Sequence, residues 1–317
     1  MEGIVCACGA SALELYRSSK RLIPTLLDKP RTGKVAGLMV PPRQFLEDDM
    51  TARGVTKQPY HVLVDGNHGY NPRRDIHAVA CYHPLPPRSL IKIDKGFWVT
   101  SPELTFIQIC ADEDLSDFDI ICLGYELCGT YVLDDSWDGL TCIDEPLTST
   151  EKIGRLINSI HRVPGIKRAR NLIKHVHDLS YSPMETILAM LVSLPTTKGG
   201  LGLGPISLNH PVATPVGQRR VDIGFPRQRV GLEYQGKEFH SIEAVGRDAR
   251  RQNKIVGSGF TILNVWYEDL IDEHLFQQLV TDLFRALGIR KRIRVTGYHT
   301  LQKLLRMQLM PAIQAYG

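Results

Sequence analysis

Residues 219 to 240 read Arg-Arg-Val-Asp-Ile-Gly-Phe-Pro-Arg-Gln-Arg-Val-Gly-Leu-Glu-Tyr-Gln-Gly-Lys-Glu-Phe-His. Asp222 and Glu233 each sit in a short apolar run, and a tight basic turn joins the runs. Such runs flanking a Pro- and Arg-containing turn predict two adjacent strands, Arg219 to Phe225 and Val230 to Gln235. Successive side chains of a strand face opposite ways, so each acid is expected to project away from the face that buries its neighbours. Two carboxylates on adjacent strands suit a hard divalent cation. Mg²⁺ takes oxygen ligands, keeps several waters and seldom uses more than one or two protein carboxylates.

Outward from this hairpin the pattern stays sharp. A helix is predicted from Ser182 to Leu194, a Gly-rich loop at 199–204, a helix from Arg247 to Val256, a strand from Phe260 to Trp266 and a helix from Asp272 to Leu287. Ser182-Pro183-Met184-Glu185 is a capping box, which gives Glu185 a structural reading beside a metal-facing one. Arg247, Arg251 and Lys254 share one predicted helix face and are candidates for phosphate contact, and His240 closes the acidic strand.

The ordered set Val221-Asp222, Glu233-Tyr234-Gln235-Gly236 with His240, Arg247-Asp248-Ala249-Arg250-Arg251 and Gly259-Phe260-Thr261-Ile262-Leu263, preceded by Ser182 to Glu185, resembles the PD-(D/E)XK nuclease superfamily. Within it, the match is to a subfamily of uncharacterised bacterial proteins related to the very short patch repair endonuclease. It covers about residues 180 to 285. The resemblance implies an α/β fold, a restriction-endonuclease-like mixed sheet flanked by helices, and metal-assisted hydrolysis of DNA phosphodiesters. Asp222 and Glu233 become metal ligands with the Tyr234 carbonyl as a third, and Mg²⁺ or Mn²⁺ is the implied cofactor. Gln235 stands where the family usually has Lys; it can orient a water but carries no charge. Lys237 is the second candidate for the charged role, and Glu185 completes the catalytic set. Because of Gln235, a catalytically inactive nucleic-acid-binding or antitoxin-like regulator stays open as the alternative.

The chain of 317 residues is long enough for two domains. A mixed α/β domain is expected over 1–150, a helical connector over 151–180, the nuclease-like domain over 181–290 and a basic tail with a short helix over 291–317. Residues 134–146, rich in Asp, read as a linker. The first half shows a helix at 9–22 with Ser11 as N-cap, strands at 35–40, 61–64 and 78–82, a hairpin turning at Asp94-Lys95-Gly96, and helices at 102–110 and 118–127. Faintly, Ser11-Ala12 and Val99 to Glu103 resemble abortive-infection antitoxin-like domains.

All seven cysteines lie in the first half, and their odd number argues for free thiols in a reducing compartment. Cys6-Ala-Cys8 with His61, His68, His77 and His83 supplies only loose zinc spacing. No apolar run is long enough for a membrane helix, and no signal segment opens the chain, so a cytoplasmic protein without a membrane partner is expected. From Arg219 onward 16 Lys and Arg face 10 Asp and Glu, so this third carries the positive charge that suits DNA. Homodimerisation through the N-terminal half is the other partnership left open.

Overall fold

The structure is a computed structural model that describes residues 3–19, 23–66, 73–134, 139–215, 217–236, 255 and 257–316. It divides into two units, 1–176 and 177–317. Both mix helices with sheets, so the chain is α/β, and the C-terminal unit holds a four-stranded mixed sheet.

In the first unit six strands are ordered β2-β5-β6-β1-β3-β4. They are β1 (Val5–Ala7), β2 (Arg31–Thr32), β3 (Tyr60–Asp65), β4 (Ile76–Cys81), β5 (Leu90–Lys92) and β6 (Phe97–Thr100). β1, too short for a period-2 signal, is central, parallel to β6 and antiparallel to β3. The predicted turn between β5 and β6 forms because the Asp94 carboxylate accepts from the N–H groups of Gly96 and Phe97. Ser101 caps the helix Pro102–Ile109 by accepting from Leu104 N–H. Ser11 is not an N-cap: the helix Gly9–Ser19 starts two residues earlier, and the Ser11 hydroxyl accepts from His61 N–H at 2.9 Å, tying helix to sheet.

The run 35–40 holds one isolated bridge, Ile4 to Leu38, rather than a strand. The stretch read as a linker instead carries a hairpin, β7 (Tyr131–Asp134) and β8 (Gly139–Cys142). Helices Thr150–Ser159 and Ile166–Leu172 belong to this unit rather than to a connector. They bury Ile153, Ile157, Ala169 and Leu172, which is why the division falls at 176 and not near 150. Cys6 and Cys8 are fully buried, and burial raises both thiol pKa values. His61 and His77 stack at 4.7 Å, and no three acidic, His or Cys side chains among the described residues converge on an ion. His68 lies outside the described residues.

The second unit begins with the helix Pro183–Ser193, capped by Ser182 as its sequence predicts. Its sheet has the order β12-β11-β10-β9, from β9 (Ser207–Thr214), β10 (Gly217–Phe225), β11 (Val230–Gln235) and β12 (Thr261–Trp266). The sequence reading lacks β9 because Pro211 interrupts it. An edge strand tolerates that, since among the described residues β9 pairs with β10 alone and needs no second ladder. β10 and β11 are antiparallel, whereas β11 and β12 run parallel. Three helices follow, Tyr267–Ile271, Glu273–Ala286 and Tyr298–Tyr316.

The last helix is no free tail. It packs on the Ser182-capped helix, burying Leu305, Leu309 and Ile313. Arg306, 5% exposed, donates to the Leu270 and Ile271 carbonyls and pairs with Glu273. No helix among the described residues is long and apolar enough to cross a membrane.

Candidate metal-binding carboxylate site

The ladder between β10 and β11 is short. It runs from Phe225–Val230 through Gly224–Gly231 to Ile223–Leu232 and stops there. Beyond that point β10 stays with β9 as far as Gly217, and β11 stays with β12 as far as Gln235. The sheet therefore opens between Asp222 and Glu233. Opening a ladder would strand a backbone donor, and the Asp222 carboxylate fills that role by accepting from Tyr234 N–H at 2.7 Å. One acid is thus clamped against the peptide that follows the other.

Glu233 is 8% exposed and Asp222 half-buried. The expectation that both acids project away from the buried face fails for Glu233, because β11 is covered on both sides from Val230 to Glu233. A buried carboxylate such as Glu233 costs several kcal/mol unless something offsets it.

Glu185 brings a third carboxylate. Its Oε2 accepts from Tyr181 N–H at 2.9 Å, one residue before the cap, while Ser182 Oγ accepts from Glu185 N–H at 3.2 Å. The capping role is real, and so is a link to the acids: burial first, then the negative charge of Asp222, push the Glu185 carboxyl up to about 8. Both causes favour its protonated form. The structural and the site readings of Glu185 describe one side chain with two jobs.

Gln235 donates from Nε2 to Asn264 Oδ1 at 3.1 Å, and Asn264 is the β12 register partner of Glu233. Register partners on parallel strands share a face, so Glu233, Gln235 and Asn264 form one polar strip. Its amide hydrogen committed to Asn264, Gln235 keeps its carbonyl oxygen as an acceptor. Tyr234 contributes through its backbone; its phenol is pushed up to about 12 by burial, then by Glu268 and Tyr267, and stays neutral.

The structure thus brings together Asp222, Glu233, Tyr234, Gln235 and Glu185. Lys237, His240, Arg247, Arg251 and Lys254 lie outside the described residues. Asn264 and Trp266 escaped the sequence reading. Asn264 is the polar interruption of the apolar run Phe260 to Trp266, a signal that was there to be read, and Trp266, 49% exposed, is the register partner of Gln235.

Among the described residues no three acidic, His or Cys side chains form a cation cage. The available donors are two carboxylates and a backbone carbonyl, all oxygen, a set that suits Mg²⁺ with retained waters better than zinc or calcium. Compared with protein-family models, curated proteins and solved structures, the chain matches none.

Proposed function

We propose that the second unit is a restriction-endonuclease-like domain and that the protein is a Mg²⁺- or Mn²⁺-dependent cytoplasmic endonuclease hydrolysing phosphodiester bonds in DNA. One observation carries the proposal: the sheet opens at Asp222 and Glu233, so that a half-buried and a buried carboxylate sit at the opening where a stable core would place apolar side chains. Capping and the Tyr234 N–H bond account for Glu185 and Asp222 in part, and binding a divalent cation would offset the remaining cost of the acids.

Asp222 and Glu233 would hold the ion, with the Tyr234 carbonyl beside them. When bound, the ion polarises a phosphoryl oxygen and makes its water more acidic. The chain's own part is positional. Asp222, fixed by Tyr234 N–H, cannot swing away from the opening. Gln235, held by Asn264, offers an acceptor that can orient a water. Before an ion binds, burial and the Asp222 charge favour the protonated form of Glu185.

The Gln235–Asn264 hydrogen bond also favours a second reading, a nucleic-acid binder or antitoxin-like regulator without catalysis. A neutral amide pair occupies the strip where a charged base would serve hydrolysis. One experiment separates the two. Purified protein with Mg²⁺ or Mn²⁺ should nick supercoiled DNA, and Asp222→Asn, which keeps an oxygen acceptor for Tyr234 N–H, should lower nicking by at least about 100-fold. Nicking that survives Asp222→Asn removes the mechanism. Absence of nicking with every divalent ion, together with salt-sensitive DNA binding, selects the second reading.

A further inference from the structure

Residues 288–317 contain no Asp or Glu, yet they carry Arg290, Lys291, Arg292, Arg294, Lys303 and Arg306. Arg306 is used internally, on Glu273 and two carbonyls. The other five are exposed, and none forms an ion pair among the described residues. Neighbouring acids do not neutralise them: on the preceding helix Asp282 pairs with Arg285, and Glu273 with Arg306.

This basic segment also has shape. Lys291, Ile293 and Val295 line a groove of about 340 Å³, closed by Gly297, Tyr298 and His299 at the start of the last helix. Arg290, Arg292 and Arg294 alternate with the lining residues and are not part of the wall. Lys291 Nζ leans to 3.5 Å from Gln277 Oε1, and partial burial lowers its pKa. His299 is exposed, set edge-on to Tyr298 at 5.9 Å, and lines the same groove as Lys291.

We infer that this groove and its row of arginines form the docking surface for the sugar-phosphate backbone of DNA, resting on the nuclease reading above. The partner follows from charge complementarity. Guanidinium groups match phosphate oxygens in bidentate fashion, a run of unpaired cations tracks a polyanion, and an aromatic ring in the same groove accepts a base or sugar.

The test uses the full chain, a short fluorescein-labelled DNA duplex and anisotropy in EDTA across a range of KCl, so that hydrolysis plays no part. The triple change Arg290→Gln, Arg292→Gln and Arg294→Gln alters only exposed side chains. It should weaken binding at least about tenfold and lower the slope of log affinity against log salt by roughly 2 to 3, at about 0.9 for each phosphate no longer neutralised. Lys29→Gln, Lys34→Gln and Lys57→Gln in the first unit match the charge change and should leave binding as it is. Equal losses in both triples, or none in the arginine triple, overturn the surface. Binding to phosphatidylserine vesicles that the arginine triple abolishes, with DNA binding untouched, overturns it in favour of a membrane. Wild-type DNA binding that disappears in the arginine triple, in a protein that nicks nothing, keeps the surface and removes the nuclease reading; nicking with the arginine triple binding normally does the reverse.

Discussion

Glu185→Gln separates the two jobs of one side chain. Glutamine keeps an oxygen that can accept from Tyr181 N–H, so the cap on the Pro183–Ser193 helix survives, but it cannot ionise. In the folded chain the Glu185 carboxyl lies near 8, against an ordinary value of 4.5. A carboxyl raised by folding gives its full stabilisation below the unfolded value and loses it as pH climbs through the folded one. Between about pH 4.5 and 8 the folded state therefore holds up to one extra proton. That proton lowers stability by as much as about 1.4 kcal/mol per pH unit as pH rises.

Rearrangement around Asp222 reduces the ideal figure. The expected gain of Glu185→Gln over wild type is thus about 1 to 3 kcal/mol larger at pH 7.5 than at pH 5. His210, whose pKa burial lowers, imposes its own trend on both proteins and cancels in the comparison. The assay is urea unfolding by circular dichroism at half-unit pH steps in EDTA, fitted as two transitions because the chain has two units; the one that Glu185→Gln moves belongs to the second. Adding Mg²⁺ should flatten the pH trend of wild type and leave that of the variant unchanged, since a cation beside Asp222 replaces the proton as counter-charge. Wild-type and Glu185→Gln curves that stay parallel from pH 5 to 8 would refute the coupling of Glu185 to the acids.

Two structural predictions test the frame that holds the site. A Cβ on Gly224 would lie 2.5 Å from the Cβ of His210 on the edge strand, so Gly224→Ala must push β9 away; a loss of about 1 to 3 kcal/mol in the second transition is expected, and an unchanged midpoint would contradict the pairing. Arg306 satisfies the Leu270 and Ile271 carbonyls and lies over the Phe276 ring at 4.5 Å, so Arg306→Ala should cost about 3 to 5 kcal/mol by leaving buried acceptors unpaired. Thermal melts that differ by less than a degree would show that the last helix does not brace the unit.

Much of the second unit was legible because its segments carry strong local signals. Ser182-Pro183 sets the start of the first helix of that unit, and alternation sets β10, β11 and β12. What stayed hidden depends on tertiary context. β9 contains Pro211, which local reasoning rejects, and only an edge position lets it form. β1 has three residues, too few for any period, yet it pairs on both sides at the centre of its sheet. The last helix reads only as a short helix in a basic tail; that Arg306 caps the Tyr267–Ile271 helix depends on contacts more than thirty residues apart in sequence. At the site, residue identities pointed to the two acids, but the opening of the sheet between them and the proton on Glu185 follow from packing, which no spacing encodes.

The value of Gln235 also changes once its neighbour is known. In sequence it is a missing charge. In the structure its amide is paired with Asn264 on the adjacent strand, so the pair is a fixed neutral device rather than a lost lysine. A neutral pair fits a site whose surplus is negative and whose proton already sits on Glu185. Gln235 itself brings no charge to the acids, and on the proposed reading a bound ion and the Glu185 proton are alternative counter-charges at the same carboxylates. If the protein hydrolyses DNA as proposed, its activity and its pH sensitivity are therefore linked through Glu185, and the pH profile of nicking should shift in Glu185→Gln.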